Sequence, residues 1–170
     1  MRFSSILAGL AICASAVHLS AEVSLRPFVP LLGTWSIETT LADQAGHTEI
    51  LRGTVECSFI LDDLHFQIVK KLRSQDGRTK TSISIISASV DLRTLRSHTV
   101  TSGEHFPFIE ECEVGPEGSI MLRVVDLDMN GHEAVQVIRF VSQKQVGIET
   151  RLSKEGTIVH SSTSVMRKKG

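Results

Sequence analysis

Two charged residues fall where an alternating strand would turn them inward. Successive side chains of a strand point to opposite faces. In the stretch 64–74 one face carries Leu64, Phe66, Ile68 and Leu72, and Lys70 is in register with them. In 105–114 the apolar face is Phe106, Phe108, Cys112 and Val114, with Glu110 in register. In 48–61 Leu51, Val55, Cys57, Phe59 and Leu61 oppose Arg52, Thr54, Glu56 and Ser58. A buried unpaired charge is costly. Lys70 and Glu110 therefore point to a pair, to interior water, or to the polar head of a bound molecule; a strand end or bulge that turns one outward is the alternative. With Phe59, Phe66, Ile68 and Phe108 they form the candidate ligand-binding set. Cys57 and Cys112 also point inward, as a disulfide or as two buried thiols behaving as small hydrophobes.

Catalytic and metal chemistry finds less support. His47, His65, His98, His105, His132 and His160 show no short ligand spacing. His98 and His105 flank a turn and could converge on one metal, although solvated pairs of this kind are commoner. No nucleophile elbow, phosphate loop or dinucleotide fingerprint is present. Glu110 and Glu111 are adjacent on a strand and face opposite ways, so they cannot work as one acid–base pair. Asp62-Asp63 reads as turn chemistry. No catalytic residue and no metal ligand is assigned.

The elements that would position these side chains are strands. From Trp35 onward, stretches rich in Val, Ile, Thr and Ser alternate with turn signals: Asp62-Asp63, Asp76-Gly77, Ser102-Gly103, Gly115 to Gly118, Asn130-Gly131 and Glu155-Gly156. Asp-Gly and Asn-Gly are strong hairpin signals because both central residues of the turn need positive φ. About ten strands follow, at 34–41, 48–61, 64–74, 79–91, 94–101, 105–114, 118–127, 132–142, 145–153 and 157–168. Short connections make sequence neighbours spatial neighbours. Closure removes the exposed edges that a flat meander would leave. The expected fold is all-β, a single antiparallel up-and-down barrel, with a two-sheet sandwich as the alternative. Pro27 and Pro30 exclude a regular helix over 25–32 and suggest a tight turn or a 3₁₀ lid.

The 170 residues fit one domain, and 41% hydrophobic with 22% charged residues is ordinary for a globular chain. The formal net charge is −1 and the basic residues are scattered, which argues against a nucleic-acid partner. Arg2, the apolar run from Ile6 to Ala16 and the small residues Ala14-Ser15-Ala16 have the form of a secretion signal. Cleavage is expected after Ala16 or Ala21. Residues 1–21 are accordingly assigned to the signal peptide and exported N-terminus, and 22–170 to the barrel. The apolar run is too short for a permanent membrane anchor. The expected location is periplasmic or extracellular.

Gly33-Thr34-Trp35, holding the sequence's one Trp, follows the proline-containing segment. It resembles the opening motif of calycin barrels, the lipocalins and fatty-acid-binding proteins among them. Gly53-Thr54-Val55-Glu56-Cys57, Ile60-Leu61-Asp62-Asp63 and Val90-Asp91-Leu92-Arg93-Thr94 follow in order. Their order resembles an uncharacterised bacterial domain family of lipocalin-like barrels, which implies a fold and no reaction. The resemblance implies that Trp35 plugs the tapered end and that a basic residue from the last strand lies across it, with Arg167 the best candidate by position and Lys168 and Lys169 adjoining it. Pro27, Pro30 and Leu31 to Trp35 are also similar to the opening of nitrobindin-like haem barrels. That resemblance makes His160 the residue to test for haem, although Ser36-Ile37-Glu38-Thr39 lacks the glycines found there.

The function expected is an exported barrel that binds a small, mainly apolar or amphipathic molecule without a resident cofactor. The alternatives are a haem-binding or enzymatic barrel using the same cavity through His160, and a filled barrel acting through its surface. The oligomeric state is left open.

Overall fold

The computed structural model describes residues 24–88, 94–103, 108–125 and 132–170. The expected signal segment at 1–21, Val90 to Arg93, His105, Phe106 and the Asn130-Gly131 turn lie outside the described residues. Ten strands occur among those described: β1 (Gly33–Asp43), β2 (Thr48–Ile60), β3 (His65–Arg73), β4 (Thr79–Ala88), β5 (Leu95–Thr101), β6 (Phe108–Val114), β7 (Ile120–Val124), β8 (His132–Ser142), β9 (Gln145–Lys154) and β10 (Thr157–Lys168). Each pairs antiparallel with its neighbour in sequence, and β1 also pairs with β10 to close the barrel. The closing ladder runs in unbroken register from Trp35 opposite Lys168 to Asp43 opposite His160. The sandwich alternative is thereby replaced by a closed barrel.

The turns lie where backbone freedom permits them. Gly77 has φ 88° in the β3–β4 connection, and Glu155 and Gly156 both have positive φ, 50° and 81°, between β9 and β10. Two positive-φ residues give a two-residue hairpin the right twist. Leu61, Asp62 and Asp63 are all left-handed, with φ between 52° and 63°. Aspartate tolerates that region better than leucine does. Leu61 and Leu64, expected on the inward face, fall in this turn and are exposed, as is Val114 at the last pair of β6.

One end of the barrel is plugged. A 3₁₀ helix over Arg26–Leu31, with Pro27 at its start and Pro30 inside it, crosses that end. Its Phe28 and Leu31 are buried, and Trp35 is fully enclosed. The indole Nε1 donates to the Leu31 carbonyl at 2.7 Å, satisfying the one polar atom of a buried ring. Phe28 and Phe59 each lie 5.2 Å, centroid to centroid, from Phe66, the Phe59 contact being edge-on. Such aromatic pairs contribute about 0.5–1.5 kcal/mol beyond their burial.

The cation across Trp35 is Lys168 and not Arg167. Lys168 Nζ stands 5.3 Å from the ring centroid. The register explains the difference. Lys168 is directly opposite Trp35, whereas Arg167 is opposite Ser36 and its side chain is exposed. A one-residue step on a strand changes the face.

Gly53 marks a close approach of β2 to β3. A Cβ built there would fall on the Lys71 carbonyl oxygen, so any side chain must displace backbone. Gly33 has φ 109°, outside the range that side-chain-bearing residues usually adopt, and lets the chain turn from the 3₁₀ helix into β1.

Two substitutions test this account. Trp35→Ala is expected to cost about 3–5 kcal/mol in chemical denaturation, and Trp35→Phe clearly less; a loss below about 1 kcal/mol for alanine would separate the ring from the plug. Gly53→Ala is expected to cost about 1–3 kcal/mol as an overpacking change, read as a lowered denaturation midpoint at unchanged slope.

Candidate functional site

Above the plug the strands enclose a cavity of about 560 Å³. Its lower part is apolar, formed by Leu31, Val55, Cys57, Ile138 and Met166. Higher up, the wall divides by strand. Ile37, Leu41, Leu51, Leu122, Ile148 and Leu152 give an apolar side, from β1, β2, β7 and β9. The strands β4 and β5 give Ser82, Ser84, Thr99 and Thr101.

That hydroxyl wall follows from strand parity. Ile86 is fully buried on the inner face of β4, which fixes Ser84 and Ser82 as inward and Ile83 and Ile85 as outward. Leu95, Ser97 and Thr101 are buried on β5, while Arg96, His98 and Val100 are exposed. Two of these hydroxyls satisfy each other across the ladder. Ser84 and Thr99 are opposite in register and 2.7 Å apart. Thr99 in turn donates to Glu110 Oε2 at 3.2 Å. On other strands Thr39 and Ser164 meet at 2.8 Å, and Gln136 donates to Thr150 at 3.0 Å.

Lys70 and Glu110 both line this cavity, as do Ile68 and Phe108. Lys70 lies on β3 between Val55 of β2 and Ser82 of β4. Burial holds its ammonium below the usual lysine range; the Glu110 charge opposes that shift and the Lys80 charge adds to it. Burial raises the Glu110 carboxyl, against the Ser97 and Thr99 hydroxyls and the Lys70 charge. The two groups feel each other, yet no ion pair joins Lys70 to any carboxylate among the described residues.

Phe59 and Phe66, expected among the ligand contacts, are not in the cavity wall. They pair across the closed-end section of β2 and β3 and stack with Phe28 in the plug. Parity gave their face correctly, but height along the barrel decides between plug and cavity. His160 does line the cavity. A register shift between Ile158 and His160 explains how it faces inward while Ile158, two residues earlier, is exposed. Among the described residues no three His, Cys, Asp or Glu side chains converge on a metal site. Arg123 on β7 and Arg139 on β8 are exposed, and Arg139 pairs with Glu149 at 3.0 Å.

Cys57 and Cys112 are buried free thiols on β2 and β6, with β3, β4 and β5 between them. Burial pushes both up to about 12, with the Glu110 charge adding to the shift of Cys112. At pH 8 the thiolate fraction is then negligible, and the thiolate is the reactive form. Native protein is expected to leave both unmodified by iodoacetamide at pH 8 and to label both once unfolded, as read by peptide mapping. Rapid native labelling would contradict their burial.

Fold and cavity together define a closed antiparallel β-barrel with an internal chamber. The S-type phycobiliprotein lyase CPES from Guillardia theta has a similar structure, with TM-score 0.60 and 10% identity over 84% of this chain and 90% of that one. Two designed proteins are also similar at TM-score 0.43: a de novo fluorescence-activating β-barrel, 17% identical over 81% of this chain and 93% of that one, and the redesigned barrel mFAP0 bound to DFHBI, 15% identical over 82% and 99%. At these identities the likeness is one of fold. No protein-family model matches the sequence, and no curated protein matches it.

Proposed function

We propose that this chain is an exported binding barrel for a small, mainly apolar or amphipathic molecule. The observation that carries the reading is the chamber of about 560 Å³, plugged at one end and lined by aliphatic and hydroxyl side chains. Ligand sites commonly have about 300–1,000 Å³ and a mainly apolar lining with a few polar groups. The plug makes one end a fixed floor, tied through the Trp35–Leu31 hydrogen bond and the Phe28–Phe66–Phe59 stack. A ligand would enter from the opposite rim, where Lys80 and Thr101 stand. Export is supported by the signal-like composition of residues 1–21. The order of Gly33-Thr34-Trp35, Gly53 to Cys57 and Ile60 to Asp63 supports kinship with the bacterial lipocalin-like domains.

His160 in the cavity wall favours a second reading, a haem barrel. Its imidazole would hold the haem iron, and haem would supply redox or gas-binding chemistry there.

Nile red, a neutral solvatochromic dye, tests the first reading. The mature protein is expected to take it up saturably with a blue shift, and native mass spectrometry of protein from its own cell is expected to show a bound small molecule. No uptake and no bound mass would favour a barrel that acts through its surface. A Soret band lost in His160→Ala would move the assignment to haem.

A further inference from the structure

We infer that the molecule this cavity takes is an amphipathic acid, its carboxylate paired with the Lys70 ammonium on the polar wall and its hydrocarbon part against the opposite side. The inference rests on the cavity being a ligand site and adds the class of ligand.

Three observations carry it. Lys70 is a cation set into the wall between Val55 and Ser82, with no hydrogen bond or ion pair to it among the described residues. Glu110, the one carboxylate among the cavity-lining residues described, already accepts the Thr99 hydroxyl, which Ser84 backs in turn. Lys80, the other cation of the lining, stands at the rim and has an interaction of its own; of Lys70 and Glu110, the carboxylate has a protein donor and the ammonium has no protein acceptor among the described residues. A donor without an acceptor in a low-dielectric wall is the stronger anchor for an incoming group of opposite charge. Third, Leu41, Leu51, Ile148 and Leu152 form an apolar side of the same chamber, so one molecule can meet both kinds of surface.

The energetics agree with this arrangement. Burial already disfavours the charged ammonium of Lys70, and a bound carboxylate would stabilise that charged form. Glu110 repels the same carboxylate. The two residues should therefore act in opposite directions on acids, a signature that a merely structural role for either would not produce.

The test uses three probes with a common tail and dansyl group: 11-(dansylamino)undecanoic acid, the corresponding primary alcohol and the corresponding primary amine. The mature wild-type protein is expected to bind the acid about ten- to a hundredfold more tightly than the alcohol, the range of one charge-assisted hydrogen bond. It is expected to bind the amine no better than the alcohol. Lys70→Met should abolish the preference for the acid, read as the ratio of acid to alcohol affinity within each variant, and Glu110→Gln should raise that ratio. Equal affinities for acid and alcohol in the wild type, or tighter binding of the amine, would overturn the inference while leaving the binding barrel intact. The wild-type comparison decides this even if Lys70→Met does not fold. No uptake of any probe, Nile red included, would instead remove the binding reading and this inference with it.

Discussion

Pairing of the first strand with the last is the constraint on which the rest of the molecule depends. The β1–β10 ladder leaves no unpaired edge in the sheet, and backbone groups left unpaired inside would carry a heavy penalty. Once the ring is closed, every residue has a fixed side. Trp35, Ile37 and Thr39 are committed to the interior by the same register that sets Lys168 over the indole. Closure also creates a volume that side chains must fill or leave open. Here large rings fill the end beneath the 3₁₀ helix, and small hydroxyl residues leave the other part open.

The division between plug and chamber arises from residue size on successive levels. Phe28, Phe59, Phe66 and Trp35 are gathered at one end. Serines and threonines of β4 and β5 face the chamber at the level of Lys70 and Glu110. Hydroxyl groups pointing into a packed interior would need partners, and Ser84 and Thr99 find them in one another across the strand ladder. Lys70, set among hydroxyls with the Glu110 charge felt across the chamber, gives it its electrical polarity.

Much of this architecture was legible in the sequence. Turn chemistry at Asp76-Gly77 and Glu155-Gly156 located hairpins, and alternation placed Lys70, Glu110, Ile68, Phe108 and both cysteines inside. The hydroxyl wall was not legible as a site. Ser82-Ile83-Ser84-Ile85 alternates perfectly, and the ordinary expectation sends isoleucine inward; only Ile86, fixed by the packed end, reverses it. A residue's height along the barrel was equally hidden, because it depends on the stagger between strands and on where the plug stops. Phe59 and Phe66 were displaced from ligand to plug for that reason. Arg167 lost its place to Lys168 by a single residue of register, a distance that no strand boundary read from sequence resolves.

The plugged end has a bearing on motion. The core cluster there, to which every strand contributes an apolar side chain, holds one rim of the barrel close-packed, while the opposite rim is held mainly by backbone ladders and exposed ion pairs such as Arg78 with Asp76 and Glu49. Exposed pairs add little cohesion, and regions with few buried apolar contacts open at lower free energy than the core does. Amide exchange should accordingly be slowest near Val55, Phe66 and Ile86 and quicken toward the hairpin tips at Gly46 and Gly77. The barrel would then breathe like a cup with a rigid base and a pliant lip, widening for entry without loosening its foundation.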